Sequence, residues 1–216
     1  MKAKTLIQIA IDSPAAAGAG TQAKLLALHY NLLYLDTGKI YRFLGNLKLE
    51  NPKLNYKFIK KKIKILKLKD LNDKKLISDR IAVAASVIAK DRVIRKIVHN
   101  FQVKCAYYPP KKYNGSILDG RDITSVIMKD AKFKFFITAS TKVRALRRYK
   151  ELKALKKNIT FQDVLKSIKK RDKSDYNRKL SPLKKTKDSI LINTSNLTKR
   201  ACFLKIKKII DRKLNT

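Results

Sequence analysis

The sequence predicts an α/β protein built on a central parallel sheet. Short β-branched runs alternate with segments of helical period along the 216 residues, and strands alternating with helices fold as βαβ units with right-handed crossovers. The first such run leads into a stretch of small residues, Ser13 to Gly20, before a helix begins. Ligands of parallel sheets sit at the carboxyl ends of the strands, where this loop lies.

The elements follow in chain order. Thr5 to Ile11 reads as a strand and Ala23 to Tyr30 as a helix. A second strand, Leu32 to Leu35, ends in Asp36-Thr37-Gly38, after which Ile40, Tyr41, Phe43, Leu44 and Leu47 recur at helical spacing. From Asn51 to Asp79 the chain turns Lys-rich with weak periodicity, which predicts a solvated, peripheral insert rather than core. Ile81 to Phe101 keeps a near-helical spacing, as one broken helix or two short ones. Tyr107 to Gly115, with Pro109-Pro110 and Asn114-Gly115, is a loop. Ser116 to Asp119 and Lys132 to Thr138 read as strands, the second aromatic enough to be buried on both faces. Helices are expected over Thr141 to Leu155 and Thr160 to Ser174, the latter opened by Thr160 with Asp163 three residues on. Ser189 to Asn193 is a last strand and Leu197 to Leu214 a terminal helix.

Composition narrows the function classes. Lys plus Arg number 53 against 16 Asp plus Glu, a net charge of +37, which by itself points to nucleic acid or an anionic membrane. Only 12 of the 53 are Arg, whereas phosphate readout favours the bidentate Arg fork. The excess is therefore a bias spread over the whole chain, and no specific nucleic-acid partner is expected. Cys105 and Cys202 lie far apart with no neighbouring metal-ligand pattern. No apolar stretch approaches the ~20 residues of a membrane span, and no signal peptide is read at the N-terminus. A cytoplasmic protein is expected, with no membrane partner.

The loop itself is an incomplete phosphate-binding motif. Against the pattern GxxxxGK[ST], Ser13 stands at the first Gly, Gly18 is present, Ala19 occupies the Lys position, and Gly20-Thr21 follow. Read alone it is compatible with either a phosphate cradle or an Ala-rich turn.

Further motifs run in order along the chain: YLDTGKIYR, AAS at Ala84 to Ser86, LDGRDI at Leu118 to Ile123, FFITAS with RALRR behind it, RDKSDYNRKLSPL at Arg171 to Leu183, and INTS at Ile192 to Ser195. With IAIDSPAAAGAGT at the front, this train resembles the bacterial cytidylate kinases over nearly the full length. The resemblance implies a three-layer P-loop nucleoside monophosphate kinase fold: a central parallel sheet, a helical lid and a shortened monophosphate-binding insert. It implies one kinase domain over 1–216, with core 1–50 and 80–216, insert about 51–79 and lid about 160–183. The insert is shorter than is usual in the family, which carries a small sheet there.

The same resemblance assigns residues. Ser13, Pro14, Ala15, Ala16, Ala17, Gly18, Ala19, Gly20 and Thr21 would form the ATP loop, with Arg144 and Arg148 near the triphosphate and Arg147 the less certain of that trio. Thr37, Tyr41 and Arg42 would face the acceptor nucleotide; Ser86, Arg95 and Asp122 match its base-reading positions; Arg121, Arg171 and Arg178 would bear on the phosphates, and Asp175 with Arg171 on the ribose. The base chemistry is coherent, since cytosine presents an amino donor to a carboxylate where uracil presents a carbonyl. Arg42, Arg121, Arg171 and Arg178 are the expected catalytic set, and Arg171, Asp175 and Arg178 are spaced to share a helical face.

The implied reaction is phosphoryl transfer from ATP to CMP or dCMP, with Mg²⁺ as cofactor, Thr21 as its protein ligand, and a monomer as the expected state. Two departures qualify it. Ala19 removes a charge that ordinarily reaches the β- and γ-phosphates, leaving Lys24 or Lys39 as candidates to replace it, with Ser13 further restricting the loop backbone; and the stretch between Arg42 and Ser86 is shortened, which bears on closure over CMP. The alternative is a degenerate P-loop protein that binds nucleotide or nucleic acid without catalysis.

Overall fold

The computed structural model describes residues 6–155 and 158–215. Its sheet has five parallel strands in the order β2-β3-β1-β4-β5: β1 Ile7–Asp12, β2 Leu33–Asp36, β3 Gly115–Gly120, β4 Phe133–Thr138 and β5 Ile190–Asn193. Thr5, the expected start of the first strand, lies outside the described residues.

Period-2 alternation sends successive β1 side chains to opposite faces. Ile9 and Ile11 join the cluster under α1 (Ala19–Tyr30) and α8 (Lys199–Leu214), with Leu26, Ile206 and Ile210. Ala10 joins the cluster on the other face, under α2 (Thr37–Glu50) and α5 (Arg92–Tyr107), with Ile40, Leu44 and Val98. Helices on both faces of a parallel sheet make a three-layer architecture. No helix among the described residues is long and apolar enough to cross a membrane.

The insert differs from the sequence reading. The insert contains α3 (Tyr56–Ile65) and two 3₁₀ turns, Leu68–Asn72 and Lys74–Ile77, and its described residues form no strand. It is not peripheral either: Ile59, Ile63, Leu66 and Leu71 are buried in the same cluster as Leu44 and Val98. The i, i+4 spacing of Ile59 and Ile63 puts both on one stripe of α3, while the lysines between them stay in water and mask the signal. Ile81 to Phe101, left open in the sequence between one broken helix and two short ones, is two helices, α4 (Asp79–Ile88) and α5, separated where the Asp91 side chain accepts from the N–H groups of Val93 and Ile94 and starts a new helix.

The remaining helices form a hairpin at one end of the sheet. In α7 (Phe161–Asn177) the capping box Thr160/Asp163 is formed, and Val164 and Ile168 pack with Ala145 and Leu152 of α6 (Thr141–Ala154) and with Ala15 of the loop after β1. That contact sets the hairpin beside the loop. Past β3 the chain makes a single π turn, Ile123–Ile127, which the sequence reading missed.

The end of β3 tolerates no side chain. A Cβ on Gly120 would stand 2.4 Å from Thr37 Oγ1 and 2.9 Å from Ile123 Cδ1. Gly120→Ala is therefore expected to destabilise the chain by about 1–3 kcal/mol, the range for overpacking. Urea unfolding checks this, and an unchanged midpoint would mean that the Thr37 contact is soft.

Candidate active site

The loop leaves β1 beside the strands that flank it and climbs into α1. Ala16 (φ 59°) and Gly18 (φ 94°) both adopt left-handed backbone, and residues of alternating hand curl a loop into a concave nest of N–H groups. Gly18 takes this shape freely, whereas Ala16 carries a Cβ penalty of about 1–2 kcal/mol. The first-turn N–H groups of α1 lack intrahelical acceptors and add the positive end of the helix dipole. Thr21 is exposed in that turn. Backbone donors facing one spot at a helix N-terminus suit an anion such as a phosphate chain.

Two carboxylates lie on the same edge. Asp36 and Asp119 face each other across β2 and β3, and a Cβ on Gly20 would stand 3.6 Å from Asp119 Oδ2. Burial, then the charge of Asp36, holds the Asp119 carboxyl well above the usual carboxylate range, against the pull of Tyr34, Arg121 and Lys24. Asp119 Oδ1 is buried with no hydrogen-bond partner. An orphaned carboxylate oxygen, a second carboxylate and the Thr21 hydroxyl fit a divalent cation on this edge.

Across from the nest, arginines converge on the ends of β3 and α7. Arg121 Nε donates to Asp175 Oδ2 at 2.7 Å, and Arg171 Nε stands 3.9 Å from the same oxygen. Arg95 bonds Asp122 and lies over the Tyr41 ring at 5.6 Å, while Arg178 Nη2 is 3.8 Å from Asp122 Oδ1. Positive charge is in excess. Burial pulls the Arg171 guanidinium down to about 10, and Arg121, Arg42 and Arg148 lower it further against the opposing pull of Asp175. Burial also lowers Arg178, with Arg95 and Arg121 adding to it and Asp122 opposing. For Asp175, burial is outweighed by Arg121, Arg171 and Arg178, so its carboxyl lies below the usual range. Arg171 Nε and Arg178 Nη2 are buried without hydrogen-bond partners. Guanidinium donors that no hydrogen bond uses match the oxygens of a phosphate.

The structure thus brings together Arg95, Asp122, Arg178, Tyr41, Arg121, Asp175, Arg171, Arg42 and Arg148. Arg42 Nη1 also donates to the Leu76 carbonyl at 2.8 Å, tying the site to the insert. Several of the expected residues, two of these among them, are not placed as the sequence predicts. Arg178 is not on the helical face of Arg171 and Asp175: it follows the last turn of α7 in extended conformation, φ −67°, ψ 137°. Ser86 bonds its own helix at Ala82 O, 3.1 Å, rather than Arg95 or Asp122. Thr37 is buried and donates to Asp119 O at 2.9 Å. Lys39 turns to Asn72 Oδ1 at 3.2 Å, toward the insert and not the loop. On α6, Arg144 donates to Ala15 O at 3.2 Å and forms a two-pronged pair with Asp172, Arg147 reaches Ala17 O, and Arg148 pairs with Glu151 at 2.9 Å.

With this geometry in hand, comparison with known proteins is direct. The cytidylate kinase family model matches residues 9–212. The chain belongs to the cytidylate kinase family. A cytidylate kinase of Clostridium botulinum (strain Loch Maree / Type A3) is 42% identical over 220 residues, covering 95% of this chain and 98% of that protein. A cytidylate kinase of Thermosipho melanesiensis is 38% identical over 216 residues, covering 95% and 97%. The crystal structure of an uncharacterized protein from Eubacterium ventriosum ATCC 27560 superimposes with a TM-score of 0.57 at 20% identity, covering 96% of this chain and 99% of that one, a likeness of fold.

Several residues beside the loop and the arginine cluster have no firm role in the motifs. Asp119 and Asp36 sit inside the LDGRD and LDTG strings, and their position at strand ends was the available signal. Arg147, the less certain of the three α6 arginines in the sequence, reaches the loop at Ala17 O, and Thr194, inside the INTS string but given no role there, donates to the same carbonyl. Asp12 is another. It is fully buried at the end of β1, accepting from Ile123 N (2.7 Å), Thr124 N (2.9 Å) and Thr124 Oγ1 (2.6 Å). It thereby fixes the π turn that follows Arg121 and Asp122.

Burial pushes the Asp12 carboxyl up to about 6 despite the hydrogen bonds from Thr124 and Ile123. A raised carboxyl binds its proton in the folded state first on acidification. Its contribution is fully present below about 3.8, is lost as pH rises through about 6, and spans roughly 3 kcal/mol. Carboxyl-detected NMR should find the Asp12 midpoint near 6, and a midpoint near 4 would show a solvated carboxylate.

Proposed function

We propose that the chain transfers the γ-phosphoryl group of ATP to CMP or dCMP, giving ADP and CDP or dCDP. The observation that carries this reading is the arginine cluster of Arg121, Arg171 and Arg178, with unpaired guanidinium donors, set across from the N–H nest of the loop after β1. One side suits the phosphate chain of a donor and the other the phosphate of an acceptor. The membership of the chain in the cytidylate kinase family supports it.

The acceptor phosphate is already a nucleophile, so the protein's work is alignment, water exclusion and charge neutralisation. The loop N–H groups hold the donor phosphates. Arg121, Arg171 and Arg178 seat the acceptor and meet the charge that spreads over the transferring oxygens. Mg²⁺, held by Thr21 with Asp36 and Asp119, would neutralise the donor phosphates. Asp122, oriented by Arg95 and Arg178, accepts the cytosine amino group, and Tyr41 floors the base site. Asp175 and Arg171 face the ribose. The lid, about 160–183, and the insert, about 51–79, close over the two nucleotides and exclude water. The chain works as a cytoplasmic monomer whose ligands are nucleotides.

A coupled ADP-release assay across nucleoside monophosphates tests the reading. CMP and dCMP should stimulate ATP consumption, with UMP and AMP far weaker and RNA without effect. No stimulation by any monophosphate would overturn it. Asp122→Asn should lower the CMP to UMP ratio of kcat/KM at least 10-fold while leaving ATP binding within about 2-fold, because an amide both accepts and donates. An unchanged ratio removes Asp122 from base selection. Arg178→Ala should lower kcat by about 10²-fold or more with little change in ATP affinity. Equal losses in both would make it a general phosphate anchor.

A further inference from the structure

The loop from Ser13 to Thr21 contains no cationic side chain, and Ala19 stands where its motif calls for Lys. What shapes and charges the loop instead lies outside it. Two of its carbonyls are held from α6 and the end of β5. Ala15 O accepts from Arg144 Nη1 at 3.2 Å; Ala17 O accepts from Thr194 Oγ1 at 3.0 Å and from Arg147 Nη1 at 3.4 Å. Every peptide bond of the described chain is trans, so each carbonyl points opposite to the N–H of the next residue. Holding the Ala15 and Ala17 carbonyls outward therefore turns the Ala16 and Gly18 N–H groups inward, the two residues in left-handed conformation.

The two arginines differ in charge balance. Arg144 is matched by Asp172, Nη1–Oδ1 2.9 Å and Nη2–Oδ2 2.6 Å. The hydrogen bonds of Arg147 go to uncharged oxygens: Ala17 O, Thr194 Oγ1 at 2.9 Å and Thr194 O at 2.7 Å. Its Nη1 is 3.8 Å from the point where a Gly18 Cβ would stand. A guanidinium not matched by a carboxylate thus rests on the outer wall of the nest, close enough to act on an anion inside it.

We propose that Arg147, with Thr194, is the positioning residue that takes over from outside the loop the work of the cation missing at Ala19. It fixes the Ala17 carbonyl so that the Gly18 N–H faces the donor phosphates, and it supplies the positive charge that the loop lacks. The proposal rests on the reading of the loop as the ATP site. Lys39 is bonded to Asn72, toward the insert, whereas Lys24 has its charge felt at Asp119, on the edge beside the loop rather than at its carbonyls.

The test uses inorganic tripolyphosphate as a probe without a base, alongside ATP and CMP, in calorimetric titrations of the full chain. Arg147→Gln should weaken tripolyphosphate and ATP binding by about 10- to 100-fold and leave CMP binding within about 2-fold. Arg147→Lys should recover part of the loss. Ala19→Lys in the Arg147→Gln background should recover most of it, while Ala19→Lys alone gains much less, a non-additivity expected only if the two cations serve the same phosphates. Should Arg147→Gln fail to fold, Thr194→Val, which removes one of the two donors to Ala17 O, should weaken tripolyphosphate by about 3- to 10-fold. Tripolyphosphate binding indifferent to Arg147→Gln, equal losses for CMP and tripolyphosphate, or no recovery from Ala19→Lys would each overturn the assignment of Arg147. A parent chain that binds CMP but not tripolyphosphate would instead overturn the reading of the loop, and the proposal with it.

Discussion

The site is organised by a deficit of negative charge. Among the described residues, the ion pairs of Arg95, Arg121, Arg171 and Arg178 fall on two carboxylates, Asp122 and Asp175, and the charges of Arg42 and Arg148 are felt from nearby. Burying guanidinium groups that are not fully paired is unfavourable, and the depressed pKa values of Arg171 and Arg178 record that burden. A phosphate dianion relieves it by adding charge and acceptors at once. The free protein is therefore poised for an anion, and the stability given up here reappears as affinity for the acceptor.

The rest of the fold serves that poise. The strand order places the end of β1 between the ends of β3 and β4, so the nest, Asp119 and Arg121 share one edge. Gly120 lets Thr37 and the π turn close against β3, and Asp12 fastens that turn from below. The α6–α7 hairpin carries Arg171 and, just past its end, Arg178, while Arg144 links its two helices, through Asp172, to the loop carbonyl of Ala15. The position of the α6–α7 hairpin and the shape of the loop are thus mechanically joined.

Much of this was legible in the sequence, because alternating apolar runs report strand and helix directly and because ordered motifs such as LDGRDI and RDKSDYNRKLSPL carry their own spacing. The insert was misjudged for a physical reason: lysines around Ile59 and Ile63 hide a narrow apolar stripe from any average over the segment. Arg178 was assigned to a helical face by spacing alone, yet Ser181-Pro182 ends the helix early and swings it out to Asp122. The contacts of Asp12 and Thr194 arise from long-range packing between β1, the π turn, α6 and β5, which no local pattern encodes, and the same packing turns Arg147, only loosely placed by its motif, onto the Ala17 carbonyl.

The central claim is that the arginine cluster, and not the base site, provides most of the affinity for the acceptor. Calorimetric titration with CMP and with cytidine measures this directly. Two or three charge-assisted hydrogen bonds predict that CMP binds at least about 100-fold more tightly than cytidine, with a difference that shrinks as salt is raised. Equal affinities for the two, indifferent to salt, would contradict the account.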